Sequence, residues 1–353
     1  MFVGMGVQGE DFMSEIVSYG FKRYVVLHES RDKWLPVLMN IPDAVVLVRW
    51  VVGVQDHAPV QLGREIAAWW NTLPDDWKPR VHLVAANELN MGYESGFPQA
   101  YLDTQAGLEE VSQWEYFVIE TIKTRTDGCT VHASAWSPRG PEDGVDSTDH
   151  APWGYSGRWA EARINRADVV DIHAYWDYGG HGSAVDDDKY WYSLRMFRPE
   201  GHKRPTAPPG AYWYTQGKPI WITEWNQVLR KDGIDDPRAG LHFEVFLREL
   251  DKHDVDHRID CACYFMANYR DETHRGYSLL PDHWGLLDSL ASINGTHPAT
   301  AVMFTVSGIT VGEGVWRIAK QLDLRVLTPE IWVTPTWGYV VTTQGKIEIY
   351  KLG

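Results

Sequence analysis

The sequence predicts a TIM-type (β/α)₈ barrel with a small C-terminal extension, and three observations carry that reading. Eight short runs rich in Val and Ile alternate with helix-like patterns over residues 1–304, the βαβα order that builds a parallel sheet. Most of those runs are apolar on both faces, as strands covered on each side by helices should be. The chain has 353 residues, 44% of them apolar and without biased tracts. Such barrels routinely fill about 250 residues as one unit around a single large core, and this composition excludes a disordered chain.

The strand-like runs are 2–7, 23–28, 44–52, 80–88, 130–136, 169–176, 219–225 and 259–267. Between them, residues 61–72 carry an Ile66, Trp69 and Trp70 face, 101–124 form one long amphipathic stretch, and 157–165 a short one. A further helix is expected at 185–197, inside a long insertion spanning 177–217. Another is expected at 237–253, where Asp236-Pro237 supplies a cap and a first turn. The links 13–19 and 32–38 are shorter and weaker. An open doubly wound sheet would ask for a phosphate-binding glycine loop after the first strand. Here Gly4-Met5-Gly6-Val7-Gln8-Gly9 lies within a strand and opens no helix; in a barrel its glycines ease crowding. Residues 305–353 do not fit the repeat. They hold a helix-like run at 314–322 and a hairpin pattern around 338–352, either packed back on the barrel or forming a small module.

Lys and Arg number 33 against 48 Asp and Glu, a net charge of −15. That balance argues against a nucleic-acid backbone as partner, since such binders carry basic stripes. No run reaches the ~18 apolar residues of a membrane span, so no membrane partner is expected. The start, MFVGMGVQG, lacks the basic and long apolar regions of a secretion signal; either the protein is made for the cytoplasm or a leader has been removed. Three cysteines, Cys129, Cys261 and Cys263, are too few for a disulfide framework and match no zinc spacing. Core filling is their expected use. The 18 Trp and 17 Tyr are the compositional outlier. Most are core material, but those in loop-like contexts, Trp153, Trp176, Trp213 and Trp284, suit a sugar-binding cleft, where an indole can stack on the C–H face of a pyranose.

Catalytic side chains of such barrels sit at the C-terminal ends of the strands. Strand four ends Asn87-Glu88-Leu89-Asn90, strand six His173-Ala174-Tyr175-Trp176, and strand seven Thr223-Glu224-Trp225-Asn226. Two glutamates thus end apolar strands on one face, where a carboxylate is unfavourable unless it is paired or functional. Either alone could be a structural ion-pair partner; the two together, one beside Asn and one facing His-x-Tyr, point to chemistry. Arg49, ending strand three, is either a positive charge placed near them or an ordinary ion-pair member. His28 and His132 read as core histidines. The run Asp186-Asp187-Asp188 reads as a solvated helix start, since the EF-hand spacing is absent.

In this order and placement, Asn87-Glu88, His173-Ala174-Tyr175 and Glu224 resemble clan A glycoside hydrolases, the large set of retaining (β/α)₈ glycosidases. The passage Trp284-Gly285-Leu286-Leu287-Asp288, followed by Asn294-Gly295-Thr296-His297-Pro298-Ala299, resembles the stretch after strand eight in many of them. The likeness spans residues 1–304. It implies Glu88 as general acid/base and Glu224 as nucleophile, with Asn87 on the sugar 2-hydroxyl and Tyr175 donating its phenol to Glu224. His173, Arg49, Trp176, Trp225 and Trp284 complete the implied substrate site. Strand eight departs from the family. Where many members have a Trp flooring the −1 subsite, this chain reads Tyr264-Phe265-Met266-Ala267-Asn268-Tyr269, leaving Trp284 or Trp225 as the substitute. The implied partner is an oligo- or polysaccharide, with no cofactor and no metal.

The tail segment 310–320 resembles the opening of a lysin-motif module, which binds N-acetylglucosamine polymers, with Gln344-Gly345-Lys346 at the turn before its closing strand. Two other functions stay open. One is a catalytically silent carbohydrate-binding barrel, such as a phage or surface component. The other is metal-assisted hydrolysis, which needs a His/Asp cluster at strand ends; His173 is the member the sequence places there.

Overall fold

The computed structural model describes residues 1–136, 158–176, 217–227, 230–231, 234–235, 257–268, 278–280 and 282–293. It also describes positions 243, 246–247, 250 and 254, and five strands between 301 and 352. Eight parallel strands, β1 (Phe2–Val7), β2 (Arg23–Leu27), β3 (Val45–Arg49), β4 (Val81–Val84), β5 (Val131–Ala133), β6 (Val169–Trp176), β7 (Ile220–Gln227) and β8 (Ile259–Tyr264), close into a barrel. Their order is β1-β8-β7-β6-β5-β4-β3-β2. The sequence pattern runs past the ends of several of them because the loops that follow are themselves packed: Ala85, Ala86 and Leu89 leave the ladder of β4 yet stay buried.

The described helices are α1 (Met13–Ser18), α2 (Arg31–Leu38), α3 (Pro59–Asn71), α4 (Gly92–Ser95), α5 (Gln99–Leu102), α6 (Gln105–Arg125), α7 (Arg158–Arg166) and α8 (Trp284–Ile293). The single stretch expected at 101–124 is broken in two. Thr104 caps α6, its Oγ1 accepting from the Gly107 amide at 3.1 Å. A Cβ on Gly107 would stand 2.2 Å from the Tyr101 carbonyl, so that tight fold-back needs the glycine. Of the helix expected at 237–253, Phe243, Phe246, Leu247 and Leu250 are described, all helical and buried, at the 3-4-7 spacing of one face. The helix expected at 185–197 lies outside the described residues.

Alternate strand residues divide between two cores. Val26, Val46, Val48, Leu83, Ile172 and Ile222 face outward and pack under helical residues such as Leu62, Ile66, Val118 and Ile122. Val25, Leu47, Val84, Val169, Trp221, Cys261 and Cys263 face inward and fill the barrel. In β1 a Cβ on Gly4 would meet the Cys263 Sγ at 2.5 Å and the Arg23 carbonyl at 2.8 Å, so the glycine is what lets the strands close. Outside the barrel, Glu115 of α6 and Arg163 of α7 form a fully buried ion pair. Glu115 also accepts the Ser134 amide at 2.5 Å, which pins both helices to the end of β5.

The tail strands β9 (Ala301–Thr305), β10 (Arg325–Thr328), β11 (Ile331–Val333), β12 (Trp337–Val341) and β13 (Ile347–Leu352) make one antiparallel sheet in the order β9-β13-β12-β11-β10. β12 and β13 pair within the stretch where the sequence suggests a hairpin. The sheet draws in residues from 301 onward. The helix-like run at 314–322 lies outside the described residues.

Candidate active site

A bulge in β7 decides which way the site residues point. The β6–β7 ladder pairs Ile172 with Ile222 and then His173 with Glu224, so Thr223 is an extra residue in β7. Such a bulge reverses the inside–outside alternation beyond it. Trp221 faces the barrel interior, its ring 5.4 Å from His82 and 5.1 Å from His132. Strict alternation would next turn Glu224 outward. The extra residue instead turns Glu224 inward and Trp225 outward. Trp225 is therefore wholly buried, 5.1–5.3 Å ring to ring from Tyr264, Phe243 and Phe246. The cleft role expected for it is corrected: it belongs to the layer between the barrel and its helices.

Glu88 stands in the loop after β4 with a φ of +36°, a left-handed conformation that non-glycine residues adopt rarely and that collects at functional sites. It is 6% exposed. Its Oε1 accepts from Nδ1 of His173 at 2.7 Å, and its Oε2 accepts from the Tyr93 hydroxyl at 2.6 Å. Glu224, 4% exposed, meets Nη1 of Arg49 in a buried ion pair. Its Oε1 lies 3.6 Å from Nε2 of His173. His173 is fully buried between the two carboxylates, so it links them and is shielded from solvent. One carboxylate oxygen of each glutamate and a ring nitrogen of His173 all lie within 4.8 Å of one another. Three such groups could hold a divalent cation, but the guanidinium against Glu224 opposes a second cation there.

Burial sets the protonation states. It pushes the Glu224 carboxyl well above the ordinary carboxylate range, while the charged Arg49 in contact favours the ionised form. Burial also lowers His173, against the pull of its Glu88 partner. The neutral ring then donates through Nδ1 to Glu88. Beneath the site a polar chain crosses the barrel: Nδ1 of His82 lies 2.9 Å from Nε2 of His132, whose Nδ1 lies 2.6 Å from Asp171. Burial drives this chain toward neutrality, lowering His132 to about 3 and raising Asp171. His132 is thus the hydrogen-bonded core histidine that the sequence suggested.

Asn87 is half-buried and donates its side-chain amide to Glu94 at 3.2 Å. Burial, with Glu88 nearby, raises the Glu94 carboxyl. Trp284 opens α8 with 37% of its surface exposed and lies edge-on to Phe12 at 5.6 Å. Asn268, just past β8, donates to the carbonyls of Gly9 at 2.9 Å and Asp11 at 2.8 Å, which ties the loop bearing Phe12 to that end of the barrel. Trp284 therefore stands on the same face as the glutamates. Tyr175 and Trp176 close β6, in register with Asn226 and Gln227; their side chains, like residues 177–216, lie outside the described residues. Sequence reasoning missed Tyr93 and Glu94. Their signal was an aromatic hydroxyl and a third carboxylate five and six residues after Glu88.

No family model and no curated protein matches this chain. Solved structures match it in fold. The GH39 enzyme from Xanthomonas axonopodis pv. citri aligns with a TM-score of 0.51 at 11% identity, over 83% of this chain and 66% of that one. The family 1 β-glucosidase from Thermotoga maritima gives 0.51 at 9% identity, over 83% and 96%. The barrel has the fold of the clan A glycoside hydrolases. A calcium-binding mutant of Bacteroides uniformis β-glucuronidase 2 gives 0.52 at 11% identity, over 87% of this chain and 36% of that one. The chain spans just under two thirds of the GH39 enzyme's length. At these identities the likeness is one of fold.

Proposed function

We propose that this protein is a retaining O-glycosidase acting on an oligo- or polysaccharide, with Glu224 as nucleophile and Glu88 as general acid/base. The observation that carries the reading is the approach of the two carboxylates, one oxygen of each lying within 4.8 Å of the other. Retaining pairs stand about 5–5.5 Å apart, whereas inverting pairs stand about 6.5–9.5 Å apart to admit a water. The two environments also differ in the charge they bring to each carboxylate. Arg49 supports an ionised Glu224, while Glu88 touches only neutral donors among its described hydrogen-bond partners, His173 and Tyr93.

In the first step Glu224 attacks the anomeric carbon and Glu88 gives its proton to the departing oxygen. Water then enters, Glu88 takes its proton, and attack on the same carbon releases Glu224. Asn87 would hold the sugar 2-hydroxyl, Tyr175 would donate to Glu224, and Trp176 and Trp284 would stack on sugar rings. Residues up to 300 form the catalytic unit in this reading, with the sheet from 301 onward an extension.

Azide rescue tests the assignment. With an activated aryl glycoside, Glu88→Ala should still form the glycosyl-enzyme, and azide should restore turnover, giving a β-glycosyl azide from a β-linked substrate. Glu224→Ala should give no reaction or the opposite anomer. Reversed responses would exchange the two roles. A wild-type protein that binds sugars and hydrolyses no glycoside would be a silent carbohydrate-binding barrel instead.

A further inference from the structure

Both oxygens of Glu88 accept hydrogen bonds, one from His173 and one from Tyr93. Two donated bonds favour the ionised carboxylate, yet a general acid must carry a proton when the glycosidic bond breaks. One donor therefore has to leave. The two are unlike. His173 is fully buried on β6, locked between Glu88 and Glu224. Tyr93 sits on the one-turn α4, 72% exposed, and reaches Glu88 through its phenol tip. An exposed side chain changes rotamer within picoseconds to nanoseconds, whereas a packed one does not follow. Loss of water around the hydroxyl tip, with the adjacent Glu88 and Glu94 carboxylates, pushes the Tyr93 phenol up, so it stays a donor at any ordinary pH.

Building on the retaining reading, we propose that Tyr93 is a substrate-displaced latch, holding Glu88 as a carboxylate in the free protein and yielding its place on Oε2 to the leaving-group side of the bound glycoside. Once Tyr93 swings away, Oε2 takes a proton from water and faces the glycosidic oxygen. Bond cleavage moves that proton to the departing oxygen as Glu224 bonds to the anomeric carbon. The incoming water returns a proton to Glu88, and when product leaves, Tyr93 closes on Oε2 and that proton goes to solvent. Tyr93 is a positioning residue in this scheme. The latch makes the acid appear only where there is a bond to break.

Among the described residues, five charged or titratable groups face Glu88: His173 from β6, Glu224 from β7, Arg49 from β3, and Tyr93 and Glu94 from α4. Tyr93→Phe deletes only the phenol among them and leaves an exposed ring in place. The full chain with this substitution gives two readouts. Carbon NMR of the Glu88 carboxyl in sugar-free protein, assigned with Glu88→Gln, should show its pKa raised by about one unit, as loss of a donor to a charged acceptor requires. On an oligosaccharide, whose departure needs the proton, the alkaline limb of kcat/KM reports free protein and should rise by about the same unit. The alkaline limb of kcat reports the complex and should stay in place. An unmoved Glu88 titration overturns the latch whatever the activity. Equal shifts in both kinetic limbs also overturn it, because Tyr93 would then remain on Glu88 with sugar bound. A wild-type protein without hydrolysis would instead defeat the glycosidase reading, while the NMR titration would still show whether Tyr93 holds Glu88 ionised.

Discussion

Replacing Arg49 by Met removes the guanidinium in contact with Glu224 from a place where neither group reaches water, Arg49 being 3% and Glu224 4% exposed. Deleting one member of a buried ion pair leaves an uncompensated charge, at about 3–5 kcal/mol. Glu224 has an escape, which is to take a proton. Burial already pushes its carboxyl upward, and 3–5 kcal/mol corresponds to roughly 2–4 further pKa units. The folded variant would then hold a proton that the unfolded chain gives up near pH ~4.3, the ordinary Glu value. Through that window the native state binds more protons than the unfolded state, so stability falls as pH rises.

The deficit against wild type should therefore be smallest below the raised folded value of Glu224 in the wild type, grow by about 1.4 kcal/mol per pH unit above it, and level off above the variant's own folded value. Urea unfolding of both proteins at pH 5, 6, 7 and 8 measures it. In parallel, the acid limb of kcat/KM, where the nucleophile must be ionised, should move up by the same number of units. A deficit of several kcal/mol that does not change with pH would refute the reasoning. It would mean that Glu224 stays ionised without Arg49, held by something other than this pair.

Two substitutions separate the tryptophans. Trp225→Ala should lower stability by about 3–5 kcal/mol through lost packing against Phe243, Phe246 and Tyr264, and should leave KM unchanged in whatever fraction stays folded, which calorimetry and steady-state kinetics report. Trp284→Ala should do the reverse, lowering stability by less than Trp225→Ala does because 37% of its surface is already exposed, while KM rises several-fold. A Trp284→Ala protein with unaltered KM would remove that indole from the substrate site.

The fold was legible because it is written in two periodicities. Eight apolar runs of strand length separated by helical faces admit few architectures, and the barrel's parallel order follows from their alternation. What the pattern could not give were the places where one residue breaks the period. The helix expected through 101–124 stops where Thr104 caps a second start and Gly107 lets the chain pass the Tyr101 carbonyl. Hydrophobicity runs straight through that point. The apolar runs likewise extend past the strand ends, because buried loop residues such as Ala85, Ala86 and Leu89 are as apolar as the strand they follow.

The same limit explains the site. Glu88, Glu224 and Arg49 could be read from their positions at strand ends, since a charged residue closing an apolar run has to be accounted for. Their partners could not, because contact across a barrel joins residues 85 to 175 positions apart, as in His173–Glu88 and Arg49–Glu224. Trp225 shows the cost of a single unseen residue. Without the bulge at Thr223, alternation would place Trp225 with Trp221 on the inner face and Glu224 outside, and a glutamate ending that strand would have no route to Arg49. The extra residue exchanges the two, so the feature that demotes Trp225 to the core is also what delivers Glu224 to the interior. Any chain with this barrel that kept Thr223 in a straight, unbulged β7 would therefore bury a carboxylate among Phe243, Phe246 and Tyr264. It would lose stability and the paired carboxylates in one step.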